Sequence, residues 1–417
     1  MTEIVYLIKL GELTLKGGNR EGFERVLRRN LTAMLRAKAP GAGVTNQPGR
    51  FYIHRAEAAG PAVEEVLSRL VGITGWARAR RGEKTPEAVL AACVEEGRRL
   101  RETGARSFKV EARRADKSFP LGSQEICRAA GDAVLAQVPG LEVNVREPAG
   151  IIAVEIREKA YVYTLEKKGR RGLPAGSAGR GLLLLSGGID SPVAGCLMAG
   201  RGMGLDAAYF HTPPYTSPEA LDKTVKLAEI IGSYSMGVRL HAVNFTAVQG
   251  RIRERAPAEW ATVLLRMAMM DAASAIARRL RAKCLITGES LSQVASQTIE
   301  NLTCGESRAR LPVLRPLVGL DKEAITTLAK DFGTYETSIL PHPDCCVLFS
   351  PPHPVLRGNP EEAGALYEAL ELGPPFPDGG NTGPGGLLQE ALRGMETRKC
   401  GYYEYRQGEP GDEGPAP

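Results

Sequence analysis

The chain is poor in aromatic residues: they make up 6% of its 417 positions, and only two are Trp. It therefore has little material for a broad base-stacking surface. Cysteine is also sparse. Eight residues are too few for a disulfide scaffold in a chain of this length. No two of them stand in a C-x-x-C pair, which removes the usual zinc-ribbon and thioredoxin spacings. No apolar run approaches ~18 residues, so no transmembrane helix is expected. The opening MTEIVYLIKLGE has acidic Glu3 before a short apolar stretch and lacks a signal-peptide layout. These absences predict a cytoplasmic, reducing setting with no membrane partner. No internal repeat is present.

What is present is ordinary globular composition, 43% hydrophobic and 24% charged, which excludes wholesale disorder and collagen-like repeats. At roughly 100–200 residues per domain, two to four domains are expected. The charge is unevenly spread. Residues 1–180 hold 32 basic and 21 acidic side chains, a net +11, and the remainder 22 and 27, a net −5. A basic front half points to a polyanion partner.

Residues 3–10 read as a buried strand, 21–39 as an amphipathic helix ended by Pro40 and Gly41, and 50–54 as a short strand. A second mixed unit covers about 60–166. Its helices are expected at 61–71, 85–103 and 123–137, and its strands at 75–80, 107–113, 143–145, 151–156 and 160–165. The Gly/Arg-rich stretch 169–181 reads as a linker or surface loop. A third unit opens on the apolar run 182–185. Strands at 205–210, 237–243 and 283–287 then alternate with helices at 191–200, 217–232, 257–281 and 321–331, the pattern of a doubly wound α/β domain. Residues 373–386 hold 10 Gly or Pro in 14 and should form a flexible loop. A short helix is expected at 387–395, and the last ten residues should be disordered.

The strongest chemical signal is Ser186-Gly187-Gly188-Ile189-Asp190-Ser191, between the apolar strand and a helical pattern. A strand that turns tightly into a helix leaves backbone N–H groups unpaired at the positive end of the helix dipole, which is an anion nest. The hydroxyls of Ser186 and Ser191 add donors. No Gly-Lys-Ser/Thr follows, so this is not a Walker A loop. Asp190 beside phosphate needs Mg²⁺ or a proton to offset repulsion.

LLLLSGGIDSPVA resembles the pyrophosphatase loop of the PP-loop ATP-pyrophosphatase superfamily. Within it, the chain resembles the tRNA 4-thiouridine synthetases, or tRNA sulfurtransferases. The likeness runs in order through GELTLKGGNR, EARRADKSFPLGSQEI, FHTPPYTSPEA, ITGESLSQVASQT, PVLRPLVGLDKEAI and SILPHPDCCVLF, over about residues 1–357. It implies an α/β protein with a ferredoxin-like α+β domain at 1–59, a THUMP RNA-binding α+β domain at 60–166 and a linker at 167–180. A doubly wound parallel-sheet PP-loop domain at 181–350 and an extension with a flexible tail at 351–417 complete it. The two front domains would grip tRNA by shape and phosphate contacts, with Arg113, Arg114 and Lys117 placed for such contacts.

The same resemblance assigns ATP to the loop and to Leu184, Leu185, Tyr209, Phe210, Arg266, Gly288 and Gln297. Arg266 lies amid Leu and Met, so a partner for it is expected. One position departs from the family pattern: Tyr209 stands where a His is common. Aligning PHPDCCVLF with the family's Pro-x-x-Cys pattern puts the catalytic cysteine at Cys346, with Cys345 beside it. Cys93, Cys127, Cys196 and Cys284 read as core. Cys304 and Cys400 are candidates to resolve a persulfide or, with Cys345 and Cys346, to hold an iron–sulfur cluster, the less favoured alternative.

Some relatives end in a rhodanese domain of about 100 residues, but no rhodanese loop is visible here. Sulfur would then come from a cysteine desulfurase or another persulfide donor. The expected reaction is adenylation of uridine 8 of tRNA by ATP with Mg²⁺ near Asp190, then sulfur transfer. Supply of a thiamine-pathway sulfur carrier and a homodimer are further implications of the family. A different PP-loop synthetase, amidating or nitrile-forming on a small acid, would need no tRNA grip. A tRNA-binding module with a dead ATPase is opposed by the intact SGGIDS and cysteine pair.

Overall fold

The computed structural model describes residues 3–12, 19–343, 351–375 and 386–401. The chain divides into two compact units, Met1–Gly172 and Leu173–Pro417.

The first unit runs β1 (Glu3–Leu10), α1 (Arg20–Lys38), β2 (Gly43–Gln47), β3 (Arg50–His54), α2 (Gly60–Arg69), β4 (Ile73–Gly82) and α3 (Pro86–Glu102). It continues with β5 (Ser107–Arg114), α4 (Ser123–Gln137), β6 (Glu142–Val143), β7 (Gly150–Ile156), β8 (Ala160–Tyr163) and β9 (Lys167–Lys168). The strands form one nine-stranded sheet in the order β2-β3-β1-β4-β8-β7-β5-β6, with β9 on β4. Antiparallel pairing of β1 with β4, and of β4 with β8, joins the two blocks read from the sequence into a single sheet. Thr85 caps α3, its side chain accepting from the Ala88 N–H at 3.3 Å. Strand β2 was not anticipated: GVTNQ is polar and largely exposed at the sheet edge, so it carries no apolar alternation.

Alternation sorts the sheet's faces. Ile152, Val154 and Val162 pack with Val89, Cys93 and Val134 of α3 and α4. The opposite face stacks Tyr52 on Tyr161, ring centroids 4.7 Å apart. There Glu155 accepts from Arg50, Arg157 and Tyr163.

Residues 167–180, the linker that the family resemblance implies, are hydrogen-bonded at both ends. The Gly169 and Arg171 N–H groups donate to Thr74 and Ile73 carbonyls, and those of Leu173 and Ala178 to Gly200 and Gly202. A Cβ on Gly169 would lie 2.4 Å from the Ile73 oxygen, so only glycine fits.

The second unit runs β10 (Arg180–Leu184), α5 (Asp190–Gly200), β11 (Gly204–His211), α6 (Pro218–Ser235), β12 (Val238–Asn244), α7 (Thr246–Arg255), α8 (Ala261–Arg279) and β13 (Leu285–Ile286). A 3₁₀ turn (Ala295–Gln297), α9 (Ile299–Glu306), β14 (Val313–Leu314), α10 (Lys322–Phe332) and α11 (Tyr335–Ser338) follow. The rest is α12 (Pro360–Ala369), α13 (Leu387–Arg393) and β15 (Glu396–Cys400). The sheet order is β14-β13-β10-β11-β12-β15, with only β15 antiparallel. Leu182 and Leu184 face the core built on α8, and Leu183 faces α5 at Gly195, so the sheet is covered on both sides.

The stretch Ala258–Arg279 is long and apolar enough to cross a membrane by composition alone, but 83% of its apolar 18-residue window is buried inside this unit. Four helices, α7, α9, the four-residue α11 and α12, and two strands went unanticipated. The α7 sequence TAVQGRIRER lacks an apolar stripe, α9 is short, and β14 has two residues. Helix α12 does carry a start signal: Asn359 accepts from the Glu361 and Glu362 N–H groups, and Pro360 is the first helical residue. The β15 sequence ETRKC is charged, as edge strands commonly are.

Candidate nucleotide site

The chain passes from β10 to β11 to β12 in one direction across the sheet, then returns to β13 and β14 on the other side of β10. The strand order therefore reverses between β10 and β13. Ligands of open α/β sheets bind beyond the carboxyl ends of the strands at such a point. The loop 186–189 follows β10, and Gly288 and Glu289 follow β13, so the topology alone brings SGGIDS and ITGES to one place.

The loop is pinned by its own serines. The Ser186 N–H donates to Ser191 Oγ at 2.8 Å, the two hydroxyls lie 2.9 Å apart, and the Gly188 N–H reaches Ser186 Oγ at 3.3 Å. Ser191 is thus buried inside the turn, and its hydroxyl, which also donates to the Ser186 carbonyl at 3.3 Å, shapes the nest. Gly288 has a similar task. A Cβ there would sit 2.5 Å from the Ser191 nitrogen, so at Gly288 the backbone packs closely on the first turn of α5.

Asp190 does not stand alone beside the nest. Its Oδ1 accepts from Lys322 Nζ at 2.7 Å and its Oδ2 from Gln293 Nε2 at 3.0 Å. Lys322 opens α10, whose N-cap Asp321 accepts from the Ala324 N–H at 2.8 Å. The charge that was expected to need Mg²⁺ is matched by an ammonium.

The partner expected for Arg266 is Glu289. Glu289 is buried and also accepts from Arg315 Nε and Thr287 Oγ1, each at 2.8 Å. Burial pushes this carboxyl up, but the guanidiniums of Arg266 and Arg315 outweigh it and hold it below its ordinary value. Arg315 also donates to Glu306 at 2.7 Å. Sequence reasoning missed Gln293, Glu289, Arg315 and Lys322 as site residues. The signal was available, since all four lie in runs already quoted and two, Glu289 and Arg315, are charged residues just after apolar strands.

Tyr209 and Phe210 are both buried. Phe210 packs edge-on to Phe245 at 4.6 Å, and Tyr209 stacks on His211 at 5.8 Å. The Leu185 N–H is used by the Ala208 carbonyl. Leu184 and Leu185 are core residues. At these four positions the structure offers a nucleotide backbone and strand ends in place of open side chains. Gln297 closes the 3₁₀ turn, its carbonyl accepting from the Ser292 N–H and its buried Oε1 lacking a partner among the described residues.

In the first unit the basic trio is not one cluster. Arg113 and Arg114 are neighbours on β5 and so point to opposite faces of the sheet. Arg113 and Lys117 are exposed, whereas Arg114 donates to the Phe119 carbonyl at 3.0 Å and fixes the turn after β5.

Cys345 and Cys346 lie outside the described residues. Cys93, Cys196 and Cys284 are buried as expected, and Cys127 is half-buried. Cys304 and Cys400 are also buried. Burial pushes the Cys304 thiol up and that of Cys400 up to about 11, so neither is a ready thiolate at neutral pH. Among the described residues no three His, Cys, Asp or Glu side chains converge as metal ligands.

Family profiles match the chain in three parts: a ThiI ferredoxin-like domain at 5–77, a THUMP domain at 83–165, and the thiamine biosynthesis protein (ThiI) family at 176–372. A probable tRNA sulfurtransferase of Treponema pallidum is 49% identical over 402 residues, covering 95% of this chain and 96% of its own. The chain belongs to the tRNA sulfurtransferase family. Another such relative, from Caldanaerobacter subterraneus, is 44% identical over 88% of this chain and 95% of its own. Among solved structures, a 4-thiouridine synthetase in complex with RNA and bound ATP superposes with a TM-score of 0.84 at 34% identity, over 95% of this chain and all of that one. PH1313 from Pyrococcus horikoshii follows with a TM-score of 0.63 at 25% identity, over 80% of this chain and all of that one. The fold of the family is thus a ferredoxin-like domain, a THUMP domain and a doubly wound PP-loop domain, as the sequence motifs implied.

Proposed function

We propose that the protein is an ATP-dependent tRNA sulfurtransferase that converts uridine 8 of tRNA to 4-thiouridine. The observation that carries this reading is the loop–helix turn at 186–191, set at the reversal point of the sheet with Asp190 held by Lys322. Mg-ATP enters as substrate, its metal carried on its own phosphates. Lys322 and Gln293 each take one acceptor position on the Asp190 carboxylate and leave its other lone pairs open to that metal.

The loop N–H groups and the positive end of α5 hold the triphosphate, with Lys322 and Arg266 supplying positive charge near it. In the first half-reaction the uridine C4 oxygen bonds to the α-phosphorus and pyrophosphate leaves. Fixed donors meet the charge that grows on the phosphate oxygens, and losing one such donor typically costs about 10²–10³ in rate. In the second, the outer sulfur of a Cys346 persulfide bonds to C4, and AMP leaves with the oxygen. A second thiol, Cys345 or an external one, then cleaves the Cys346–S–S–C4 link. This releases 4-thiouridine and leaves a disulfide for an external dithiol to reduce.

The reading includes tRNA and a persulfide donor such as a cysteine desulfurase as partners, a homodimer, and a cytoplasmic location. Sulfur supply to a thiamine-pathway carrier is a second use that rests on family membership alone.

Single-turnover reactions with an unmodified tRNA transcript and Mg-ATP test the first half-reaction. Pyrophosphate release should depend on tRNA and be lost in Asp190→Ala; equal release without tRNA would contradict the reading. Cys346→Ala with a desulfurase and cysteine tests the second. Pyrophosphate release should persist and thiolation stop, and full thiolation would remove Cys346 from the mechanism.

A further inference from the structure

Two buried polar side chains outside the nucleotide site hold the chain on either side of the cysteine pair. Lys223, on α6, is buried, and its ammonium donates to the carbonyls of Ser338, Leu340 and His342 at 3.4, 3.1 and 2.9 Å. A buried ammonium is costly unless polar partners surround it, and here the carbonyls of three alternate residues do so. In sequence, His342 precedes Cys346 by four residues. The Ser338 hydroxyl in turn donates to the Gly188 carbonyl at 3.2 Å, so the stretch that Lys223 holds is tied to the SGGIDS loop.

Asn301, on α9, does the same on the far side. Its Nδ2 donates to the carbonyls of Val355 and Ala295, each at 2.7 Å, and its Oδ1 accepts from the Gly358 N–H at 3.0 Å. Val355 follows Cys346 by nine residues. Ala295 begins the 3₁₀ turn that ends at Gln297. Lys223 therefore grips a segment on one flank that Ser338 ties to the nucleotide loop, and Asn301 joins the other flank to the 3₁₀ turn directly.

We infer that Lys223 and Asn301 are positioning residues for sulfur transfer. They register the chain that carries Cys345 and Cys346 against the bound nucleotide, so that the adenylated uridine meets the persulfide. The inference rests on Cys346 as sulfur carrier. It requires the two half-reactions to come apart when a clamp is cut, an effect that loss of general stability would not produce.

The test uses the full-length protein with tRNA transcript, Mg-ATP, a cysteine desulfurase and cysteine, and measures pyrophosphate and 4-thiouridine in the same single-turnover reaction. The wild type should give nearly one thiouridine per pyrophosphate. Lys223→Met and Asn301→Ala should each lower that ratio at least tenfold. Lys223→Gln keeps a neutral donor facing the same carbonyls; it should restore part of the ratio, and it carries the test should Lys223→Met fail to fold. An unchanged ratio in the folded variants, with both products falling together, would reduce the clamps to structural roles and overturn the inference. Cys346→Ala is run alongside. If it still thiolates, the sulfur-carrier reading itself fails; if it does not, while the clamp variants keep the wild-type ratio, only the positioning inference fails.

Discussion

Lys322 Nζ donates to Asp190 Oδ1 at 2.7 Å, tying the first turn of α10 to the first turn of α5 at the edge of the anion nest. The lysine side chain is half exposed, at 49%. Such a pair contributes below about 1 kcal/mol to stability, so its expected value is functional. Asp190→Asn and Lys322→Met should each slow tRNA-dependent pyrophosphate release about 100-fold or more. The melting temperature should move by no more than a few degrees. In a double-mutant cycle the two losses should not add, because either variant breaks the same pair.

Glu289 gives the opposite case, a buried carboxylate between two guanidiniums. Glu289→Gln should destabilise the second unit by about 3 kcal/mol at neutral pH, because it leaves buried positive charge less compensated. The sign of the pH dependence follows from the lowered carboxyl. Its stabilising contribution is fully present above the ordinary Glu value of about 4.3 and is lost as pH falls through the depressed folded-state value. Urea unfolding at several pH values should therefore show the gap between wild type and variant narrowing below about pH 4.

Gly288→Ala places a Cβ 2.5 Å from the Ser191 nitrogen, which is backbone and cannot swing aside. The helix start or the β13 end must move. Overpacking of this kind costs about 1–3 kcal/mol, and because the strain falls on the nest, nucleotide affinity should drop more than tenfold. Calorimetric titration of a non-hydrolysable ATP analogue measures this.

Arg113 and Arg114 separate RNA contact from folding. Arg113→Ala and Lys117→Ala should weaken tRNA binding and shallow its salt dependence by about 0.7–0.9 per lost phosphate contact, with little change in melting temperature. Arg114→Ala should lower the melting temperature of the first unit, because it frees the Phe119 carbonyl.

Long, strongly patterned segments were legible from the sequence. The reading of 123–137 as helix matches α4, Ser123–Gln137, and the apolar run before SGGIDS is the buried strand β10. The likeness of SGGIDS and its following motifs to one family led to the fold that the comparisons bear out. What escaped were features with no one-dimensional period. Strand β14 spans two residues, too short to alternate. The pairing of Glu289 with Arg266 and Arg315 links positions 23 and 26 residues apart, and Lys322 reaches Asp190 across 132. Such contacts are set by the order of strands in the sheet, which local pattern does not encode. The separation of Arg113 from Arg114 was readable in principle, since neighbouring residues on a strand always face apart.

The central claim is that the nest at 186–191 activates a tRNA uridine for sulfur transfer. Nucleoside mass spectrometry, with the modified position mapped along an unmodified tRNA transcript, tests it most directly. With Mg-ATP, a cysteine desulfurase and cysteine, 4-thiouridine should appear at position 8 and vanish in Asp190→Ala. ATP-dependent pyrophosphate release on some other substrate, with no thiouridine anywhere in the tRNA, would contradict it.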